Sequence, residues 1–107
     1  MISFNEFKKI ELIAAKISGV EDIEGKDKLY KIKIDIGSGE KQIVAGVKEF
    51  YPKEDLEGKT IIVVNNLEPA AIGGQKSEAM LLAAKNNEGK YSIVFLDGNI
   101  SPGTMVE

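Results

Sequence analysis

The chain contains no cysteine, no histidine, no arginine and no tryptophan. Each absence removes a class of chemistry. Without cysteine there are no disulfides, no thiol nucleophile and no zinc–thiolate site. Without histidine the usual general base at neutral pH and the commonest metal ligand are missing. Without arginine all 14 cationic side chains are lysines. Lysine neutralises phosphate as a point charge but lacks the planar fork for bidentate contacts. Without tryptophan, base stacking falls to Tyr and Phe. No apolar run approaches the roughly 20 residues a membrane span needs, and no signal-peptide pattern opens the chain. A cytoplasmic location is expected.

What is present suits one domain over residues 1–107. Hydrophobic residues make up 43% and charged residues 29%, with a net charge of −3. A dedicated nucleic-acid binder usually shows a basic field, so any such face here must be local.

Ser3-Phe4-Asn5-Glu6 reads as a capping box opening a short helix to about Lys9. From Ile10 the period shifts to two, with Ile13, Ala15 and Ile17 on one face and Ala14, Lys16 and Ser18 on the other. Tyr30, Ile32, Ile34 and Ile36 then alternate with Lys31, Lys33 and Asp35. Gly37-Ser38-Gly39 turns the chain into Lys41–Val47. Phe50–Leu56 reads as a helical turn with Pro52 near its start. Ile61-Ile62-Val63-Val64 lacks alternation and is expected to be buried on both faces. A Pro/Gly loop leads to Met80, assigned to the core. Met80–Ala84 and Ser92–Leu96 form a last hairpin over Asn86-Asn87-Glu88-Gly89.

These signals predict an all-β chain with strands at about 10–24, 28–37, 40–48, 60–67 and 79–85. A short N-terminal helix, one small helix before strand 4 and extra C-terminal strand structure complete it. That order suits a five-stranded Greek-key barrel, the OB-fold; an SH3-like barrel is the rival from pattern alone.

The frame Asn66-Leu67-x-Pro69, then Ile72-x-Gly74-x-x-Ser77-x-x-Met80-Leu81-Leu82-Ala83-Ala84, resembles the signature of the tRNA-binding domain family. So do Ser3-Phe4-x-x-Phe7, Asp27-Lys28-Leu29-Tyr30, Gln42–Val47 and Asp55-Leu56-x-Gly58-Lys59, in the same order. The family includes the appended domain of methionyl-tRNA synthetases and its free-standing beta subunits. The resemblance implies the same barrel, tRNA as partner, a methionyl-tRNA synthetase catalytic subunit as a second partner, and a homodimer. The sequence departs from the family at Ile13, Glu68, Ala71 and Gly73, where basic residues are common, which implies weak binding.

Lys16 is the leading RNA-contact candidate, since its alternation faces it outward. Lys28, Lys31, Lys33 and Lys41 are expected to form a stripe across strands two and three, where an OB-fold binds its ligand, interleaved with Asp27, Asp35 and Glu40. Asn66, Gln75, Lys76 and Ser77 match the signature loop, although Asn66 is equally suited to satisfying loop backbone. Tyr30 is assigned to the core and Tyr51 to helix packing or a base stack. No activated nucleophile, phosphate-binding Gly-Lys-Ser/Thr motif or metal-ligand spacing occurs. No cofactor and no catalysis are expected. The reading is a non-catalytic tRNA-binding accessory module; the alternative is a peptide-binding or dimerisation module of the same fold.

Overall fold

The computed structural model describes residues Met1–Glu107. In chain order its elements are α1 (Phe4–Phe7), β1 (Leu12–Ile23), β2 (Lys26–Asp35), β3 (Glu40–Ala45), α2 (Lys53–Leu56), β4 (Thr60–Val64), β5 (Ala70–Ile72), β6 (Gln75–Ser77), β7 (Met80–Leu81), β8 (Ala83–Lys85) and β9 (Tyr91–Ile93). The chain is mostly β, and its main sheet has five antiparallel strands in the order β3-β2-β1-β4-β7.

The capping box forms as the sequence requires: Ser3 accepts from the Glu6 amide, and Glu6 reaches back to the Ser3 amide. α1 is shorter than expected, ending at Phe7, and buries none of its residues. β1 is long because it serves two neighbours. Its residues Leu12–Lys16 pair with β4, and Lys16–Ile23 pair with β2. Where β2 has ended, the C-terminal segment takes its place: the Ala14 amide donates to the Thr104 carbonyl, and the Gly103 and Val106 amides donate to Ala14 and Leu12. This fit leaves no space for a side chain at Gly103, whose Cβ would lie 2.6 Å from the Ile36 carbonyl oxygen.

The core follows the alternation. Ile13, Ile17, Ile32, Ile34, Ile43, Ile61 and Val63 are all buried, and Tyr30 joins them. Ile61–Val63 is buried on both faces, as its unbroken apolar run requires. Ala14 is the exception to the alternation in β1. Expected to face outward, it is fully buried beside Ile62, its register partner.

Three expectations are corrected. The strand predicted over 79–85 breaks in two. Leu82 donates to Ile62 on β4 and accepts from Val94, so the chain changes partner there. Met80, expected in the core, is 48% exposed at the end of the β4–β7 pair. The stretch read as a Pro/Gly loop also contains a hairpin, β5–β6. Gly73 and Gly74, both with positive φ, form its two-residue turn, the arrangement that matches strand twist. The Ile72-Gly-Gly-Gln75 spacing was the available signal. It was hidden because β5 is wholly exposed and shows no burial alternation.

Candidate nucleic-acid interface

The outer face of β1, β2 and β3 is built by register. Its rows follow from the pairing. Lys16 on β1 lies between Thr60 on β4 and Asp35 on β2, which opposes Glu40 on β3. Lys33 lies between Gly19 and Gln42, and Lys31 between Glu21 and Val44. Lys16 and Lys33 are exposed. Lys31 is tied to Glu21 at 3.2 Å. Of these three rows, only the Lys33 row lacks an acid.

The β5–β6 hairpin attaches beside β3 mainly through side chains rather than a regular ladder. The Gln42 amide donates to Glu78 Oε1 at 3.0 Å, the Glu78 amide donates back to the Gln42 carbonyl, and Gln42 Nε2 donates to the Lys76 carbonyl. The Val44 amide donates to Ser77 Oγ at 3.0 Å, and Ser77 Oγ donates to the Ala79 carbonyl. Antiparallel pairing with β2 leaves alternate β3 backbone groups facing outward. Glu78 and Ser77 satisfy the Gln42 amide and carbonyl and the Val44 amide, and so close the barrel.

This geometry sorts the sequence candidates. Lys76 and Ser77 lie beside β3, the strand that pairs with Lys31 and Lys33 of β2, and Gln75 precedes them on β6. Lys76 is exposed opposite Ala71. Lys16, on β1, lies opposite the far end of β2. Lys28 is at the near end of β2 and Lys41 Nζ donates to the Asn65 carbonyl at 2.9 Å, so the predicted stripe is not continuous. Ser77 is 5% exposed and its hydroxyl is fully engaged, so it is a closing bolt rather than a surface group. Asn66 is likewise spent: Oδ1 accepts from the Glu11 amide at 2.8 Å and Nδ2 donates to the Lys9 carbonyl at 2.7 Å. Tyr51 is bound into the fold, its hydroxyl accepting from the Ile93 amide. Gln42 and Glu78 were missed. Their roles depend on which β3 groups lie at the seam, which no local pattern reveals.

Further lysines are removed from the cationic field by pairing. Asp22 accepts from Lys53 at 3.0 Å and meets Lys48 at 3.1 Å. The hydrogen bonds from Lys53 and then Lys48 hold the Asp22 carboxyl below its ordinary range, and the bond to Asp22 raises Lys53 above its own.

The positions that depart from the family pattern also differ among themselves. Ala71 and Glu68 are exposed and open to a cation. Ile13 is 4% exposed, inside the barrel. Gly73 has φ +59, and a Cβ there would lie 2.7 Å from Leu29 Cδ1.

Comparison with known proteins agrees with this architecture. A family model described as a putative tRNA binding domain matches residues 12–105. The chain is 40% identical over 106 residues to methionine–tRNA ligase 1 of Bacillus anthracis, covering 99% of this chain and 16% of that protein. It therefore spans about one-sixth of such relatives, 16% of their length. A MetRS-related protein from Pyrococcus horikoshii superimposes with a TM-score of 0.94 at 32% identity, covering 100% of this chain and 98% of the other. The chaperone CsaA from Bacillus anthracis superimposes with a TM-score of 0.90 at 27% identity, covering 100% and 99%.

Proposed function

We propose, from the premise that the chain belongs to the putative tRNA-binding domain family, that it is a non-catalytic module adding weak, non-sequence-specific contacts to tRNA. The match along residues 12–105 carries this reading. The geometry supports the word weak. Lysines are the only cations, and on the outer sheet face they stand among Glu21, Asp35 and Glu40. Phosphate contacts position a protein on RNA without reading sequence. The candidate contacts are Lys16, Lys28, Lys33, Gln75 and Lys76, with Lys31 contributing once Glu21 releases it.

The partner is a methionyl-tRNA synthetase catalytic subunit, the module acting as its beta-subunit-like accessory in the cytoplasm. Tethering a weak site to a second site raises overall affinity through effective concentration. Homodimerisation supplies the same gain. Ile2, Phe4, Ile10 and Met105 are large apolar side chains left exposed, and they support a self-association surface around α1. Sedimentation equilibrium at micromolar protein tests this; a monomer mass rejects it.

The test of the main reading is tRNA binding across a salt series. Affinity is expected to be modest and to fall linearly on logarithmic axes as salt rises. Absence of binding at low salt rejects it. One observation favours a second reading, a peptide-binding module. An apolar cleft of about 320 Å³ lies between Val44–Val47 and Met80–Ala83, on a fold shared with a protein named as a chaperone. Titration with an unfolded polypeptide separates the two.

A further inference from the structure

We propose that the cleft between the β3–α2 connection and the β8–β9 hairpin is a stacking subsite for one unpaired nucleobase of a single-stranded nucleic acid. Lys85 and Lys90 hold the adjoining phosphate. The proposal rests on the reading of this chain as a nucleic-acid-binding module but concerns a surface away from the outer sheet face.

The cleft has a volume of about 490 Å³ and is lined by Phe50, Tyr91, Lys85, Lys90, Asn86 and their immediate neighbours, with no carboxylate among them. Phe50 and Tyr91 are half-buried, with ring centroids 6.0 Å apart at 61°. In an edge-on pair one ring covers a face of the other with its rim only, so flat aromatic surface stays open to a third ring. Lys85 opposes Tyr91 across the hairpin, its Nζ over the ring at 5.4 Å from the centroid. That face of Tyr91 is therefore covered, and the base stacks on the surface of the pair that the ammonium leaves open. Lys85 and Lys90 are both exposed, and neither forms an ion pair.

The walls are fixed before any ligand arrives. Asn86 Oδ1 accepts from the Glu88 and Lys90 amides at 2.9 Å each, which sets the hairpin turn and leaves Nδ2 free to donate to a base. Behind the rings, the Tyr51 hydroxyl accepts from the Ile93 amide and the Tyr51 carbonyl accepts from the Tyr30 hydroxyl. A second cleft of about 330 Å³ shares Phe50, Lys85 and Tyr91 and adds Lys28 together with Glu49, so a carboxylate borders the subsite on that side and the phosphate is held by Lys85 and Lys90.

The ligand class follows from this pairing of groups. An aliphatic peptide needs a continuous apolar lining, which Lys85, Asn86 and Lys90 interrupt. An acidic peptide satisfies the lysines but leaves the rings unused. A nucleobase with its phosphate uses both, and aromatic stacking beside a cationic track is how single strands are held without sequence preference.

The test uses the full chain labelled with 15N and a pentaadenylate at low salt. Amide shifts are expected at residues 50–51 and 85–93. Tyr91→Ala is expected to weaken pentaadenylate binding about tenfold. The paired change Lys85→Glu and Lys90→Glu, on exposed side chains that leave the fold intact, is expected to weaken it at least as much. Equal shifts from an abasic strand of the same length or from polyglutamate overturn the proposal, as do shifts confined to β2, β3 and β6. A parallel tRNA titration separates the two claims. If tRNA binds and the cleft stays silent, the subsite falls and the module's function stands. If pentaadenylate docks in the cleft and tRNA does not bind, the subsite stands and the tRNA reading falls. If neither binds, both fall.

Discussion

The outer face of β1–β3 and the cleft beside β8–β9 both display lysine, yet they differ in what surrounds it. On the sheet face, cross-strand register sets Lys31 against Glu21 and Lys16 against Asp35. In the cleft, Lys85 stands opposite Tyr91, and no acid lines the walls. A charge balance over the whole chain, −3, describes neither place. Opposite charges on neighbouring strands cost little and keep an exposed sheet soluble, but they also cancel the field that would attract phosphate. A lysine beside a ring keeps its charge available. Lysine number therefore does not describe the local field; the neighbours assigned by the fold do.

Both regions depend on one core, so breaking that core is expected to abolish both at once. Ile34→Asp places an unpaired charge at a fully buried position and is expected to unfold the chain, at a cost of roughly 4 kcal/mol or more. Circular dichroism and thermal melting check this; a cooperative melt near the wild-type temperature refutes it. Gly103→Ala is the next largest. It adds a methyl 2.6 Å from the Ile36 carbonyl oxygen at φ +88, with an expected loss of about 1–3 kcal/mol. Because this site lies where the C-terminal segment meets β1 and β2, hydrogen exchange is expected to rise there more than in the β8–β9 hairpin.

Substitutions on the sheet face alone set it further apart from the cleft. Ala71→Lys with Glu68→Lys puts cations at open positions and is expected to strengthen tRNA binding and steepen its salt dependence. Lys16→Ala and Lys76→Ala are each expected to reduce the salt slope by roughly one unit, the amount that goes with one lysine–phosphate pair, without altering the melt. Gly73→Arg, by contrast, is expected to destabilise the β5–β6 hairpin against Leu29 rather than bind phosphate.

The smallest effect concerns the Asp22 clamp on Lys48 and Lys53. Asp22 has a folded pKa below its unfolded one, so its stabilisation is present above the unfolded carboxylate pKa and fades as pH falls through the folded value. Lys53 has a raised folded pKa, so its share is present below the unfolded lysine pKa and is lost as pH rises through the folded one. Asp22→Asn is expected to flatten the acid limb of a melting-temperature profile slightly, since all three side chains are solvent-exposed enough to be screened. An unchanged profile shows that the clamp contributes nothing measurable.

Local pattern accounts for the capping box at Ser3–Glu6, the alternating strand Tyr30–Ile36, the buried run Ile61–Val63 and the family frame. Each is set by backbone periodicity or by which residue type a position tolerates, so each is legible along the chain. Assembly of the barrel was needed to commit the hydrogen bonds of Ser77 and Asn66 inside the molecule, to bury Ala14 and to pair Lys31. It also brought Phe50 beside Tyr91. These outcomes depend on which distant backbone groups and charges arrive next to a side chain. A residue's own neighbours in sequence carry no record of that, because strand register and barrel closure are fixed by the chain as a whole.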